Sequence, residues 1–127
     1  MMNKSSLFLI IAAALGFLAV ALGAFGAHGL KKVLSEPMLS TYHTAVEYQF
    51  YHVFALLGAA LWLKFSSSPS GWLEAGAWLF IAGIVIFSGS LYVLALSGIR
   101  WLGMITPVGG VFFLLGWLAL IVAAVKE

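Results

Sequence analysis

Residues 72–96 read WLEAGAWLFIAGIVIFSGSLYVLAL, a run whose single charge, Glu74, sits near its edge. That exceeds the roughly 20 apolar residues a helix needs to cross a hydrocarbon layer of about 30 Å. The turn Ser97-Gly98-Ile99-Arg100 follows, and another apolar run begins just beyond it. Neither run shows the alternating segments of about ten residues that membrane barrels require. The stretch therefore predicts two helices joined by a tight turn and solvated by lipid.

Two more apolar runs lie upstream. Spans are expected at about 6–27, 41–64, 72–96 and 104–125, forming one transmembrane domain over residues 1–127. The connections are short, which makes consecutive helices antiparallel neighbours. The expected fold class is all-α, an integral membrane four-helix up-down bundle. Composition points the same way: 64% of the 127 residues are hydrophobic and 8% charged, against about 25% charged in a soluble domain. Lys4, Lys31, Lys32, Glu36, Lys64, Glu74, Arg100, Lys126 and Glu127 all flank the apolar runs, and only Glu47 falls inside one. Trp62, Trp72 and Trp101 lie near span ends, where indoles favour the headgroup level.

The first run has a rival reading as a cleaved signal peptide, with Ala24-Phe25-Gly26 as a loose cleavage site. Its apolar stretch is longer than the roughly 7–15 residues of a signal core, so a retained helix is expected. Pro37 suits the first turn of the second helix, and the Ser66-to-Gly71 linker ends that helix. Lys4, Lys64 and Lys126 fall on one side of the bundle and Lys31, Lys32 and Arg100 on the other. The positive-inside rule is thus balanced and sets no orientation.

The net charge of +2 comes from scattered basic residues, so no nucleic-acid partner is expected. Cysteine is absent, which removes disulfides, thiolate metal sites and cysteine nucleophiles. No Gly-x-Ser-x-Gly elbow, phosphate loop, dinucleotide fingerprint or His-Glu-x-x-His motif occurs. The sequence gives no reason to expect an enzyme or a bound cofactor.

Glycines recur seven apart in three of the spans: Gly16 and Gly23, Gly76 and Gly83, Gly109 and Gly116. Such spacing makes a flat stripe, which lipid-buried helices use to approach closely. These six are assigned to helix packing, within one chain or along a homo-oligomer seam.

The second span carries the polar residues. His43, Glu47 and Tyr51 follow at four-residue steps, and Thr44, Tyr48 and His52 form the adjacent row, with Gln49 among them. Glu47 lies ten residues past Pro37, about 15 Å along the axis. An intramembrane carboxylate is by default a candidate functional group. His28 should share a membrane side with His43, so Glu47, His43 and His28 are expected to converge. The third span adds Ser88, Ser90 and Tyr92, and the fourth adds Thr106 and Pro107, the latter expected to kink its helix. This intrabundle cluster either fixes helix register or serves a lipid, quinone, proton or partner subunit. Bis-histidine haem ligation by His28 with His43 or His52, and a metal site, are weaker readings because the spacing matches no known ligand motif.

Several of these segments carry a resemblance. Gly23-Ala24-Phe25-Gly26-Ala27-His28-Gly29-Leu30 and Thr44-Ala45-Val46-Glu47-Tyr48-Gln49-Phe50-Tyr51-His52 are followed by Phe87-Ser88-Gly89-Ser90-Leu91-Tyr92. Ile105-Thr106-Pro107-Val108-Gly109-Gly110 and Gly116-Trp117 complete the series. In this order they resemble domain-of-unknown-function family 423, small membrane proteins, over almost the whole chain. The resemblance implies a multi-pass protein of the bacterial cytoplasmic (inner) membrane with four helices and assigns no activity. It also implies glutamine in many relatives where this chain has Glu47, which weakens a proton-relay role. The leading expectation is a non-enzymatic structural, accessory or binding protein, partnered by the bilayer and by a membrane subunit or its own copies. The alternative is a small transporter or proton-coupled carrier using Glu47 and nearby histidines.

Overall fold

The computed structural model describes residues 2–127, which form four helices. The first, α1 (Lys4–His28), starts where the Asn3 side chain accepts the Ser6 amide at 2.8 Å. The second, α2 (Glu36–Phe65), is capped by Ser35 and holds Pro37 in its first turn, where no intrahelical donor is needed. The third, α3 (Gly71–Ser97), is capped by Ser70 and stops at Gly98, whose φ of 74° is left-handed. The fourth, α4 (Arg100–Lys126), opens with a 3-10 turn over Arg100–Met104 and turns α-helical from Thr106.

Two of these helices depart from simple expectation. Within α3, Ile84–Ser88 is wound as a π-helix, whose wider turn shifts the backbone locally. Pro107 does not kink α4. It stands in the first turn of the α-helical segment, immediately after the 3-10 start, where its missing N–H costs nothing.

The helix ends reveal the topology. Lys4 Nζ meets Glu74 Oε1 at 2.9 Å, so α1 and α3 begin at the same end of the bundle. The Glu127 carboxylate accepts from Trp62 and Ser66, which brings the ends of α2 and α4 to that end too. The helices therefore run up, down, up, down. By length and apolarity α1, α3 and α4 can each cross a membrane. The 30-residue α2 carries too polar a first half to meet that criterion, yet it must return the chain between two helices that point the same way.

Large apolar side chains such as Phe17, Val85, Leu114 and Leu118 face outward, toward lipid. The interior is built from small residues and rings. Phe8, Ala12, Leu56, Ala60, Ala77 and Phe80 are among its most buried members. The glycines of α3 and α4 make room for these rings. A Cβ on Gly83 would lie 2.5 Å from Phe113, and one on Gly116 would lie 2.7 Å from Phe80. A Cβ on Gly76 would lie 3.3 Å from the Gly116 carbonyl oxygen. On α1 the fit is looser: a Cβ on Gly16 would lie 3.5 Å from Val53, and one on Gly23 would lie 3.3 Å from Val46. Gly26 leaves space for the fully buried Tyr42 ring.

Gly109 faces backbone and not a side chain: a Cβ there would sit 2.7 Å from the Phe87 Cα, in the π segment. Backbone cannot step aside as a side chain can. Gly109→Ala is expected to cost about 1–3 kcal/mol, read as a lower unfolding midpoint in detergent by circular dichroism. Gly89→Ala, whose Cβ would meet nothing within 4 Å, should not lower that midpoint and should raise it slightly, because alanine is favoured over glycine inside a helix.

Candidate functional site: a lateral groove beside a closed polar network

The polar residues divide into two populations that the sequence did not separate. Gln49, His52, Ser88 and Ser90 are buried, with Tyr92 and Thr106 partly so. His28, His43, Glu47 and Tyr51 are exposed on the outer surface, and Thr44 is half-buried. Tyr48 lies between, at 37% exposure.

The buried set is closed on itself. Gln49 Nε2 donates to the Leu15 carbonyl of α1 at 2.8 Å, and the Tyr92 hydroxyl of α3 donates to Gln49 Oε1 at 2.6 Å. Ser88 donates across to the Ala45 carbonyl at 2.7 Å. Ser90 reaches the Phe87 carbonyl at 2.9 Å and shares a hydrogen bond with Thr106 at 2.6 Å, joining α3 to the start of α4. Tyr42, outside the expected cluster, donates to the Leu22 carbonyl at 2.5 Å and ties α2 to α1. Among the described residues no buried side-chain polar atom lacks a partner.

The exposed set does not converge. Among the described residues the only ion pair is Lys4–Glu74, so Glu47 pairs with neither His43 nor His28. Its carboxylate accepts instead from Tyr51, one turn on, at 3.3 Å. Thr44 Oγ1 donates back to the Ser40 carbonyl at 3.1 Å. The physical reason lies in helix rotation. Gln49, Val46 and Tyr42 turn toward α1, which leaves the His43–Glu47–Tyr51 row pointing away from the bundle.

His52 has its own arrangement. Its Nε2 accepts the Trp117 indole N–H at 3.1 Å, and indole is only a donor. The proton therefore sits on Nδ1 and goes to the Tyr48 carbonyl at 2.8 Å. The ring lies flat on Phe113, centroids 3.5 Å apart and planes 5° off parallel. Both nitrogens are occupied, so His52 has no lone pair left for haem iron. Among the described residues no three of His, Cys, Asp or Glu gather as a metal site.

Beside this stack the surface opens into a groove of about 470 Å³ lined by Tyr48, His52, Phe87, Pro107, Gly110, Val111, Phe113, Leu114 and Trp117. Its cause is the aromatic layer between α2 and α4. Tyr48 packs on Phe87 at 4.6 Å, Phe87 on Phe113 at 5.3 Å, and Trp117 edge-on to Phe80 at 5.1 Å. Phe87 and Phe80 belong to α3, so the rings link α2 to α4 by way of α3, and the groove lies along the layer. Sequence reading missed Phe87, Phe113 and Trp117 as a unit. The four-residue step from Phe113 to Trp117, matching Tyr48 to His52, was the available signal. A second hollow of about 480 Å³ lies among the helix ends at Lys4, Lys64 and Glu74, outside the apolar spans.

Two outcomes check this geometry. Nitrogen-15 NMR at neutral pH should show His52 protonated at Nδ1 and bare at Nε2, and a ring protonated on both nitrogens would contradict the Trp117 bond. Tyr92→Phe should destabilise the bundle by about 0.6 kcal/mol, the average for such bonds in membranes, and by no more than about 1.7 kcal/mol. Gln49→Leu, which removes two bonds, should cost more in the same unfolding assay.

Comparison with known proteins places this architecture. Residues 22–110 match a family described as "Protein of unknown function (DUF423)". The chain is 47% identical over 119 residues to the UPF0382 membrane protein YwdK of Bacillus subtilis (strain 168), covering 94% of this chain and 96% of that protein. It is 44% identical over 122 residues to the UPF0382 inner membrane protein YgdD of Escherichia coli (strain K12), covering 96% and 92%. No solved structure matches. The apolar helices and these membrane relatives place the protein in the cytoplasmic membrane as a multi-pass protein. With a match over most of its length to both the family and its members, the chain belongs to the DUF423 family of membrane proteins.

Proposed function

We propose that this protein binds the apolar chain of an amphiphile, a membrane lipid or an isoprenoid quinone, in the groove between α2 and α4. The role is one of binding or support, without catalysis. The observation that carries the reading is the groove itself. It opens sideways onto lipid, and its volume of about 470 Å³ falls within the roughly 300–1,000 Å³ typical of ligand pockets. Its walls are apolar and aromatic, and the part-exposed Tyr48 among them carries a hydroxyl suited to a polar head.

The carrier reading centred on Glu47 has less support. That carboxylate lies on the outer face of α2, and the interior polar groups bond one another rather than line a path.

Native mass spectrometry from mild detergent tests the proposal. The wild-type protein should retain a defined hydrophobic adduct. Gly110→Leu should lose it by filling the groove. A Cβ at Gly110 would lie 3.9 Å from Phe87, ordinary contact, so the fold should survive, as circular dichroism would verify. A redox-dependent ultraviolet change of the adduct would identify a quinone, and phosphorus in it a phospholipid. A bare wild-type mass after reconstitution into lipid nanodiscs would refute binding.

A further inference from the structure

The outward face of α2 holds residues that packing within one chain does not account for. Glu47, Tyr51, Phe54, Gly58 and Leu61 follow at alternating steps of four and three, and all five are exposed. That is the spacing of a seam between two helices. Glu47 is the one charge inside an apolar run. It lies one residue past Val46, which packs on Gly23 of α1. Gly23 is five residues short of the end of α1, about 8 Å inside it. Gly58 stands in the helix interior, where glycine is less favourable than alanine. Gly76, Gly83, Gly109 and Gly116 each have a neighbour that a Cβ would crowd, whereas a Cβ on Gly58 would meet nothing within 4 Å; Gly89 is equally open, but it is half-buried where Gly58 is exposed.

We propose that a second copy of this chain packs its α2 against this face, about a twofold axis along the membrane normal. Gly58 marks the close approach of the two helices, as small residues do in lipid, where hydrocarbon gives no hydrophobic drive. Complementarity identifies the occupant. Glu47 offers carboxylate acceptors, one of them taken by its own Tyr51, while His43, one turn away on the exposed surface, offers a ring N–H. A twofold seam is self-complementary, so the donors of one copy meet the acceptors of the other. A lipid chain on the same face would leave the Glu47 carboxylate in contact with hydrocarbon, which is costly. The seam is independent of the groove.

The chain has no cysteine, so single-cysteine variants of the full-length protein report without background. Tyr51→Cys, Phe54→Cys and Leu61→Cys would be oxidised in native membranes and scored as dimer on denaturing gels. Val20→Cys on α1, Val85→Cys on α3 and Leu114→Cys on α4, all exposed on other faces, serve as controls. The three α2 positions should cross-link about fivefold more than the controls, a ratio set by about 1 kcal/mol of preference. Adding Gly58→Leu to Phe54→Cys should cut the yield by a similar factor while leaving helix content unchanged, because the monomer has open space there. Equal cross-linking from every face, a dominant control position, or a yield indifferent to Gly58→Leu would overturn the proposal. Cross-linking at only one of the three α2 depths would indicate an antiparallel crossing and overturn the twofold geometry.

Discussion

In hydrocarbon, a polar side chain has no water to fall back on, so each one inside the bundle must find its partner on another helix or on nearby backbone. Gln49 shows how much of the structure hangs on that requirement. One amide group spends its donor on the Leu15 carbonyl and its acceptor on the Tyr92 hydroxyl, and thereby ties α1, α2 and α3 together at one depth. Tyr42 repeats the tie to α1 nearer the loop, and Ser88 repeats the tie to α3. The rotation of α2 about its own axis follows, because only one setting reaches all these partners. With it follows the direction of everything else that α2 carries.

The α3–α4 pair is assembled by other means. Its contact rests on glycines that admit rings and backbone: Phe113 over Gly83, Phe80 over Gly116, and the π segment against Gly109. The π turn and the glycine opposite it form one feature, since the widened backbone at Phe87 occupies the volume an alanine methyl would take. With α4 drawn onto α3, its apolar span meets α2 through aromatic side chains, His52 against Phe113 and Trp117. The lateral groove is the geometric remainder of that arrangement.

Glu47 acquires a different meaning in this frame. Its position in the sequence, inside an apolar run and four residues from a histidine, suggested a buried relay. With α2 rotated to satisfy Gln49, the same residue faces outward beside Tyr51, on the same helical stripe as the unfilled Gly58. The charge therefore belongs to the surface of the bundle and not to its interior chemistry.

How much of this was legible beforehand depended on the kind of constraint involved. The sequence by itself determined the solvent and the architecture, because runs of more than twenty apolar residues bounded by single charges satisfy their backbone in lipid only as helices, and short turns leave little choice of topology. It also showed which positions were small at seven-residue spacing and which residues were polar. Which polar residues meet was a tertiary decision. Gln49 and Glu47 stand two residues apart in one helix, about 200° around its axis, and nothing local says which of them turns inward. That choice was made by the summed fit of Tyr92, Leu15, Tyr42 and Gly26 on neighbouring helices, as was the π turn at Ile84–Ser88, which exists to seat Phe87 against Gly109. The groove was likewise invisible, because it is the space between two helices that are far apart in sequence and held by side chains whose partners are known only once the helices are packed.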